Sequence, residues 1–262
     1  MRVIASLVKP DGATITPGRG PSDGWASSRS SDDAASPHDM MMNKGHGLLA
    51  CLLTVAFGLA VLGGGPRVER IGAFTGTALP APVKEALTPE GYRVVDEKGT
   101  VLCELWLPKS VPTQKPTGAL GVIYPEFAES TFMGVISLPH GGKDFRGQSI
   151  GPGVYTLRYA LMPDDGNHMG VSEYRDFLLL IPVTADRDPQ ARLEFAQLVE
   201  RSKKASGTNH PAPLSLVVPE EEKNLPAVYV NDAGYVVLVV LLSVSSGGQR
   251  PLAIVVRGQA EQ

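Results

Sequence analysis

Cysteine is almost missing from this 262-residue chain, which holds two, Cys51 and Cys103. Cys51 lies inside an apolar N-terminal run, so removal of that run leaves one thiol and no intrachain disulfide. Aromatic residues are sparse at 6%, too few to advertise a stacking platform for sugars or bases. Basic residues are in no excess either, with 24 Lys and Arg against 27 Asp and Glu. Nucleic acid and anionic lipid surfaces both demand a basic partner, so neither is expected. No HExxH, CxxC or EF-hand spacing occurs, and the sequence advertises no cofactor.

What the chain does contain is one long apolar stretch, residues 47–62 (GLLACLLTVAFGLAVL). Met40-Met41-Met42-Asn43-Lys44 precede it and Gly63-Gly64-Gly65-Pro66 close it. A methionine, one lysine, a charge-free apolar segment and a small-residue end form the pattern of an export signal. The stretch falls short of the ~20 apolar residues that span a bilayer. A cleaved signal is therefore expected, with an uncleaved membrane anchor through 47–62 as the alternative. Leu48-Leu49-Ala50-Cys51 resembles a lipobox, but most of the apolar residues follow the cysteine, which argues against lipidation there. Residues 1–41 are rich in Ser, Asp, Gly and Pro without apolar periodicity, and cannot offset the entropy of ordering. They read as a disordered extension, or as untranslated sequence ahead of a start at Met40, Met41 or Met42.

The remaining organisation is a leader or anchor at 42–65, a proline-punctuated linker at 66–90 and one domain at 91–262. That domain reads as strands. Residues 92–96 and 100–107 make a hairpin around Glu97-Lys98-Gly99, and 121–124 and 131–138 are further apolar segments. In 153–162, Tyr155, Leu157, Tyr159 and Leu161 share one face while Thr156 and Arg158 share the other, the period of a half-buried strand. Residues 176–183 (DFLLLIPV) form a continuous apolar run, and strands resume at 214–218, 227–230, 235–244 and 252–256. The segment 235–244 is expected to be the central strand. One helix interrupts them, with Asp188 as N-cap, Pro189 at the first position, Ala191, Phe195, Leu198 and Val199 on one face, and Gly207 as the stop. The fold class expected is all-β: an antiparallel, jelly-roll-like β-sandwich with one peripheral α-helix, preceded by an N-terminal apolar helix. Cys103 alternates with Val101, Leu105 and Leu107 and reads as a buried small hydrophobe rather than a nucleophile.

Polar, chemically able residues cluster in two loops around 153–162. One holds His140, Asp144 and Arg146, the other Asp164, Asp165, Asn167 and His168, leading on to Arg175 and Asp176. Imidazole and carboxylate suit a zinc-like ion, and His168 with Asp164 or Asp165, joined by His140 or His210, could supply them. Oxygen ligands from Asp164, Asp165 and Asn167 suit calcium, and Asp144 or Asp176 beside His140 or His168 suits acid–base chemistry. The plainer reading is that Asp, Gly and Asn are here because tight turns need them. Arg158 poses the same choice: a structural ion pair with Asp176 or Asp144, or a carboxylate-binding role.

The blocks Asp144-Phe145-Arg146-Gly147-Gln148, 153–159 (GVYTLRY), 163–168 (PDDGNH) and 176–180 (DFLLL) together resemble a family of uncharacterised bacterial exported proteins. The resemblance implies a secreted, periplasmic or envelope protein with a β-rich fold, and implies no activity, cofactor or catalytic residue. The function expected is a non-catalytic binding or envelope-associated module for a small molecule or envelope ligand. Its ligand-binding candidates are His140, Asp144, Arg158, Asp164, Asp165, Asn167, His168 and Asp176. The alternative is a metal-dependent hydrolase built on the His140/Asp144 and Asp164–His168 loops.

Overall fold

The computed structural model describes residues 64–163, 174–220 and 224–260. The apolar run 47–62, and with it the expected N-terminal helix, lies outside them. In chain order the elements are β1 (Arg67–Ile71), α1 (Ala81–Ala86), β2 (Leu87–Val95), β3 (Val101–Pro108), β4 (Phe132–Leu138), β5 (Gly142–Lys143), β6 (Ser149–Ile150), β7 (Gly153–Leu161), β8 (Asp176–Pro182), α2 (Phe195–Ser206), β9 (Pro213–Val217), β10 (Ala227–Val230), β11 (Val236–Ser243) and β12 (Gln249–Arg257). The stretch expected as a linker, 66–90, thus carries β1, α1 and the start of β2. RVERI gives little strand signal alone and is a strand because Arg67–Ile71 pair with β2.

Ten strands form one sheet in the order β1-β2-β3-β4-β7-β8-β9-β12-β11-β10, every pairing antiparallel. Right-handed twist curls a sheet of this width. The edge strands β1 and β10 come together, and Arg70 Nη2 donates to the Leu225 carbonyl at 3.3 Å across the seam. The result is an antiparallel, nearly closed barrel; among the described residues one continuous sheet stands where two separate layers were expected. Segment 235–244 is β11, next to the edge strand β10 rather than central. Local chemistry fixes the β2–β3 hairpin: the Asp96 carboxylate accepts the N–H groups of Lys98 (2.9 Å) and Thr100 (2.8 Å), and Gly99 takes φ 84°. Burial and hydrogen bonding leave β4 room for one residue only at position 134. A Cβ on Gly134 (φ 130°) would lie 2.4 Å from the Trp106 carbonyl oxygen.

Inward-facing side chains fill the barrel, among them Leu157, Tyr159, Leu178, Leu180, Leu238 and Ile254. Each fully buried side chain of this size contributes about 1.5–3 kcal/mol. Cys103 belongs to the same core and burial pushes its thiol up to about 12, so it is the inert hydrophobe expected. The long connection from β3 to β4 closes one barrel end by burying Val111, Tyr124 and Phe127 there. Residues 121–124, read from the sequence as an apolar segment, belong to this plug. Asp176 fixes it, accepting the N–H of Ile123 (2.7 Å) and Tyr124 (2.9 Å) and the Tyr159 hydroxyl (2.7 Å).

Helix α2 lies on the outer face, where Leu198 packs with Ala160, Leu179, Ile181 and Leu193. Ser202 ties it down by donating to the Leu180 carbonyl (2.8 Å) and accepting the Ala212 N–H (2.9 Å). It stops at Gly207 (φ 65°), as expected, but starts at Phe195 with a Glu194–Gln197 capping box instead of at Asp188. The carbonyls of Asp188, Pro189 and Ala191 all accept from the buried Arg158 guanidinium, and the one turn at Asp188, whose carbonyl also accepts the Ala191 N–H (3.2 Å), does not continue as a helix. Among the described residues no helix is long and apolar enough to cross a membrane.

Candidate functional site

Strand alternation places Thr156 and Arg158 on the polar face of β7, yet that face is covered: Arg158 is 1% exposed. The strap from β8 to α2 lies over it and supplies Asp186, 28 residues on. Arg158 Nε meets Asp186 Oδ2 at 2.7 Å and Nη2 meets Oδ1 at 2.8 Å, while Thr156 Oγ1 donates to Oδ2 at 2.7 Å. Nη1 reaches the carbonyls of Ser130, Ala191 and Pro189, and Nη2 that of Asp188. These acceptors account for all five guanidinium N–H groups. Arg158 is therefore a structural cation, as one expectation held, but its partner is Asp186 rather than Asp176 or Asp144. It has no donor left for a ligand carboxylate.

The other expected site residues go separate ways. Asp176 is buried against the barrel plug. Asp144 is buried in a turn, where its Oδ1 accepts the N–H of Arg146 (3.0 Å) and Gln148 (2.8 Å) and its Oδ2 accepts Gln148 Nε2 (2.6 Å). Desolvation holds its carboxyl above the ordinary aspartate value, with those hydrogen bonds pulling the other way. His140 and His210 are exposed on different connections. Asp164, Asp165, Asn167 and His168 lie outside the described residues. Among the described residues, no three His, Cys, Asp or Glu side chains approach closely enough to hold a metal ion.

Sequence reasoning passed over one motif: Gly147-Gln148-Ser149-Ile150-Gly151 satisfies G-x-S-x-G. A nucleophile elbow needs that serine on a sharp strand-to-helix turn. Ser149 instead sits exposed on β6 of the small β5–β6 hairpin, which leads into β7. No hydrogen bond joins it to a histidine or carboxylate among the described residues. The motif here lies on a hairpin strand and lacks the strand-to-helix elbow.

The Asp144 turn does position something. Its bonds project Phe145 and Arg146, and the Phe145 N–H donates to the Pro213 carbonyl (2.8 Å) while Gln148 Nε2 reaches the Pro211 carbonyl (2.8 Å). The turn is thereby clamped to the segment that follows α2. Between turn and helix lies a cleft of about 290 Å³. Its walls are Phe145 and Arg146 on one side and Phe195, Val199 and Lys203 on the other, above the outward-facing Phe177 of β8. His210 stands at its rim. Arg146, Lys203 and His210 give this lining a basic edge, and none of its described residues is acidic. Lys203 also pairs with Glu200 on the exposed side of α2.

Of the cleft residues, the sequence singled out His210 and, in the first polar loop, Arg146, and Asp144 enters by holding the turn. Phe195 and Val199 were legible as one helical stripe, but a continuous run such as DFLLL does not reveal that Phe177 points outward. A second cavity of about 370 Å³ opens at the unplugged barrel end among Leu102, Ile136, Leu138 and Val256. Two cations line it, the exposed Lys143 and Arg257, of which Arg257 pairs with Glu97 (3.1 Å) and Asp96 (3.5 Å). Compared with family models, curated proteins and solved structures, the chain matches none.

Proposed function

We propose that this chain is an exported, non-catalytic binding module of the bacterial envelope or its surroundings, and that its ligand is a small amphipathic anion held in the α2 cleft. The observation that carries this reading is the composition of the cleft: three phenylalanines inside, and Arg146, Lys203 and His210 at the edge with no described carboxylate among them. Ligand pockets of this kind are lined mainly by apolar and aromatic side chains, with a few polar groups that orient the ligand. An aromatic or alkyl body would displace water from Phe145, Phe177 and Phe195. A carboxylate, sulfate or phosphate group would lie against Arg146 and Lys203. The export assignment rests on the apolar leader and on the resemblance to exported proteins, and N-terminal sequencing of the secreted product tests it. Retention of 47–62 in that product would instead favour a membrane-tethered form.

Fluorescence titration with anilinonaphthalene sulfonate, an aromatic anion, tests the binding reading. Saturable one-site binding is expected, weakened about tenfold or more by Phe195→Ala, a loss of at least ~1.4 kcal/mol. Val199→Glu, which places an acid in the wall, should abolish it. Unchanged binding by both folded variants would sink the proposal. The metal-dependent hydrolase draws less support, because both Asp144 oxygens are committed to N–H donors and His140 stands exposed elsewhere. Elemental analysis of the purified chain beside His168→Ala decides that alternative, for which stoichiometric metal lost in the variant is the expected sign.

A further inference from the structure

The barrel has one closed end and one open end. The β3–β4 connection plugs the first with Val111, Tyr124 and Phe127. At the second, the cavity of about 370 Å³ is walled by Leu102 of β3, Ile136 and Leu138 of β4, Leu214 of β9 and Val256 of β12. Ile136, Leu138 and Leu214 belong to the barrel core, and Leu102 and Val256 pack against it, so the cavity is the uncovered top of that core. No lining residue is aromatic and none is acidic. Barrel mouths of this kind are a recurrent place for small ligands.

The rim combines small residues with charge of one sign. Gly141, Gly142 and Gly258 leave the opening free of bulk beside Lys143 and Arg257. Arg257 is committed to Glu97 and Asp96, which ties the β2–β3 turn to the edge of the mouth. Lys143 is placed by the pairing of β5 with β6, opposite Ser149, and forms no ion pair among the described residues. An aliphatic well with one uncommitted ammonium at its edge complements a straight alkyl chain that ends in an anion.

The chain enters the barrel at this same end. Arg67 pairs with Val95, next to the β2–β3 turn, while Ile71 pairs with Gly91 farther down the sheet. Only four residues separate Arg67 from the apolar stretch 47–62, a reach of about 14 Å. If that stretch enters a bilayer, it brings the mouth rather than the plug to the lipid surface, where straight-chain acids collect.

We infer that the mouth is a second binding site, independent of the α2 cleft, for a straight-chain carboxylic acid. Its alkyl chain lies among Leu102, Ile136, Leu138, Leu214 and Val256, and its carboxylate meets Lys143. The three phenylalanines of the cleft give aromatic bodies the better surface. The mouth has no such ring and suits methylene groups.

Nuclear magnetic resonance of the isotope-labelled full chain tests this, with octanoate and octanol titrated while anilinonaphthalene sulfonate saturates the cleft. Octanoate should give saturable shifts at Leu102, Leu138 and Val256, and octanol should bind there about tenfold more weakly. Lys143→Glu, a change at an exposed side chain, should raise the octanoate Kd about tenfold or more and leave octanol unchanged. Leu102→Glu, which puts an acid in the half-buried wall, should abolish the octanoate shifts, and sulfonate binding in each variant checks that the fold is kept. No mouth shifts in the wild-type chain, their displacement by the sulfonate, or a full octanoate response in Lys143→Glu would overturn the site. Absence of sulfonate binding would sink the cleft reading alone, and octanoate titrated without it would then judge the mouth.

Discussion

Strand β7 is dry on both faces, and the two faces reach that state by opposite means. Inside, Tyr155, Leu157 and Tyr159 join the apolar barrel core. Outside, Thr156 and Arg158 are buried against Asp186 of the strap. The inner face gains from area removed from water and is indifferent to direction. The outer face holds a desolvated charge whose cost is offset only while its partner and its carbonyl acceptors stay in place. Adjacent residues of one strand should therefore respond very differently to the same replacement, and the strap that leads to the cleft depends on the polar side.

Arg158→Met should have the largest effect, since it strands Asp186 in a dry site. The expected loss is about 3–5 kcal/mol in denaturant unfolding, and Arg158→Met/Asp186→Leu should recover much of it. Asp176→Asn comes next, because an amide nitrogen would replace one of the two oxygens that accept the plug's N–H groups and the Tyr159 hydroxyl. About 1.5–3 kcal/mol should be lost, with hydrogen exchange accelerated at Ile123 and Tyr124 ahead of the barrel strands. Leu157→Met, next door to Arg158, keeps the volume and should cost less than about 1.5 kcal/mol. Equal costs for Leu157→Met and Arg158→Met would break the comparison between the faces.

The smallest expected effect is a pH dependence. Burial raises the Asp144 carboxyl above the ordinary aspartate value. Between the unfolded value and that raised one, the folded chain holds more protons than the unfolded chain, so this group's contribution to stability falls as pH rises through the window. Asp144→Asn should flatten that part of the stability–pH curve, measured by urea unfolding. A steeper curve in the variant would mean that the turn's hydrogen bonds outweigh its burial.

Local signals carried much of the fold. The β2–β3 turn, the alternation of β7, the apolar run of β8 and the Gly207 stop all follow from interactions within a few residues. What escaped the sequence depends on distant partners. Asp188 and Pro189 look like a helix start, but their carbonyls answer to Arg158, about thirty residues earlier. Arg158 looks solvent-facing because alternation reports which face a residue takes, not what later covers that face. The curl of one sheet into a near-barrel, in place of two layers, follows from β1, whose charged, short sequence gains strand character only through β2. The cleft was hidden for the same reason: it lies between a turn, a helix and a strand whose meeting no single segment encodes. Asp144 was noticed for its chemistry, whereas its work is to hold Phe145 and Arg146 in place.

A nuclear magnetic resonance titration of the isotope-labelled chain with anilinonaphthalene sulfonate probes the α2 cleft most directly. Saturating shifts confined to Phe145, Arg146, Phe177, Phe195, Val199 and Lys203 are the expected result. Shifts centred instead on Leu102, Leu138 and Val256 at the open barrel end, or none at all, would contradict the assignment of the cleft as the ligand site.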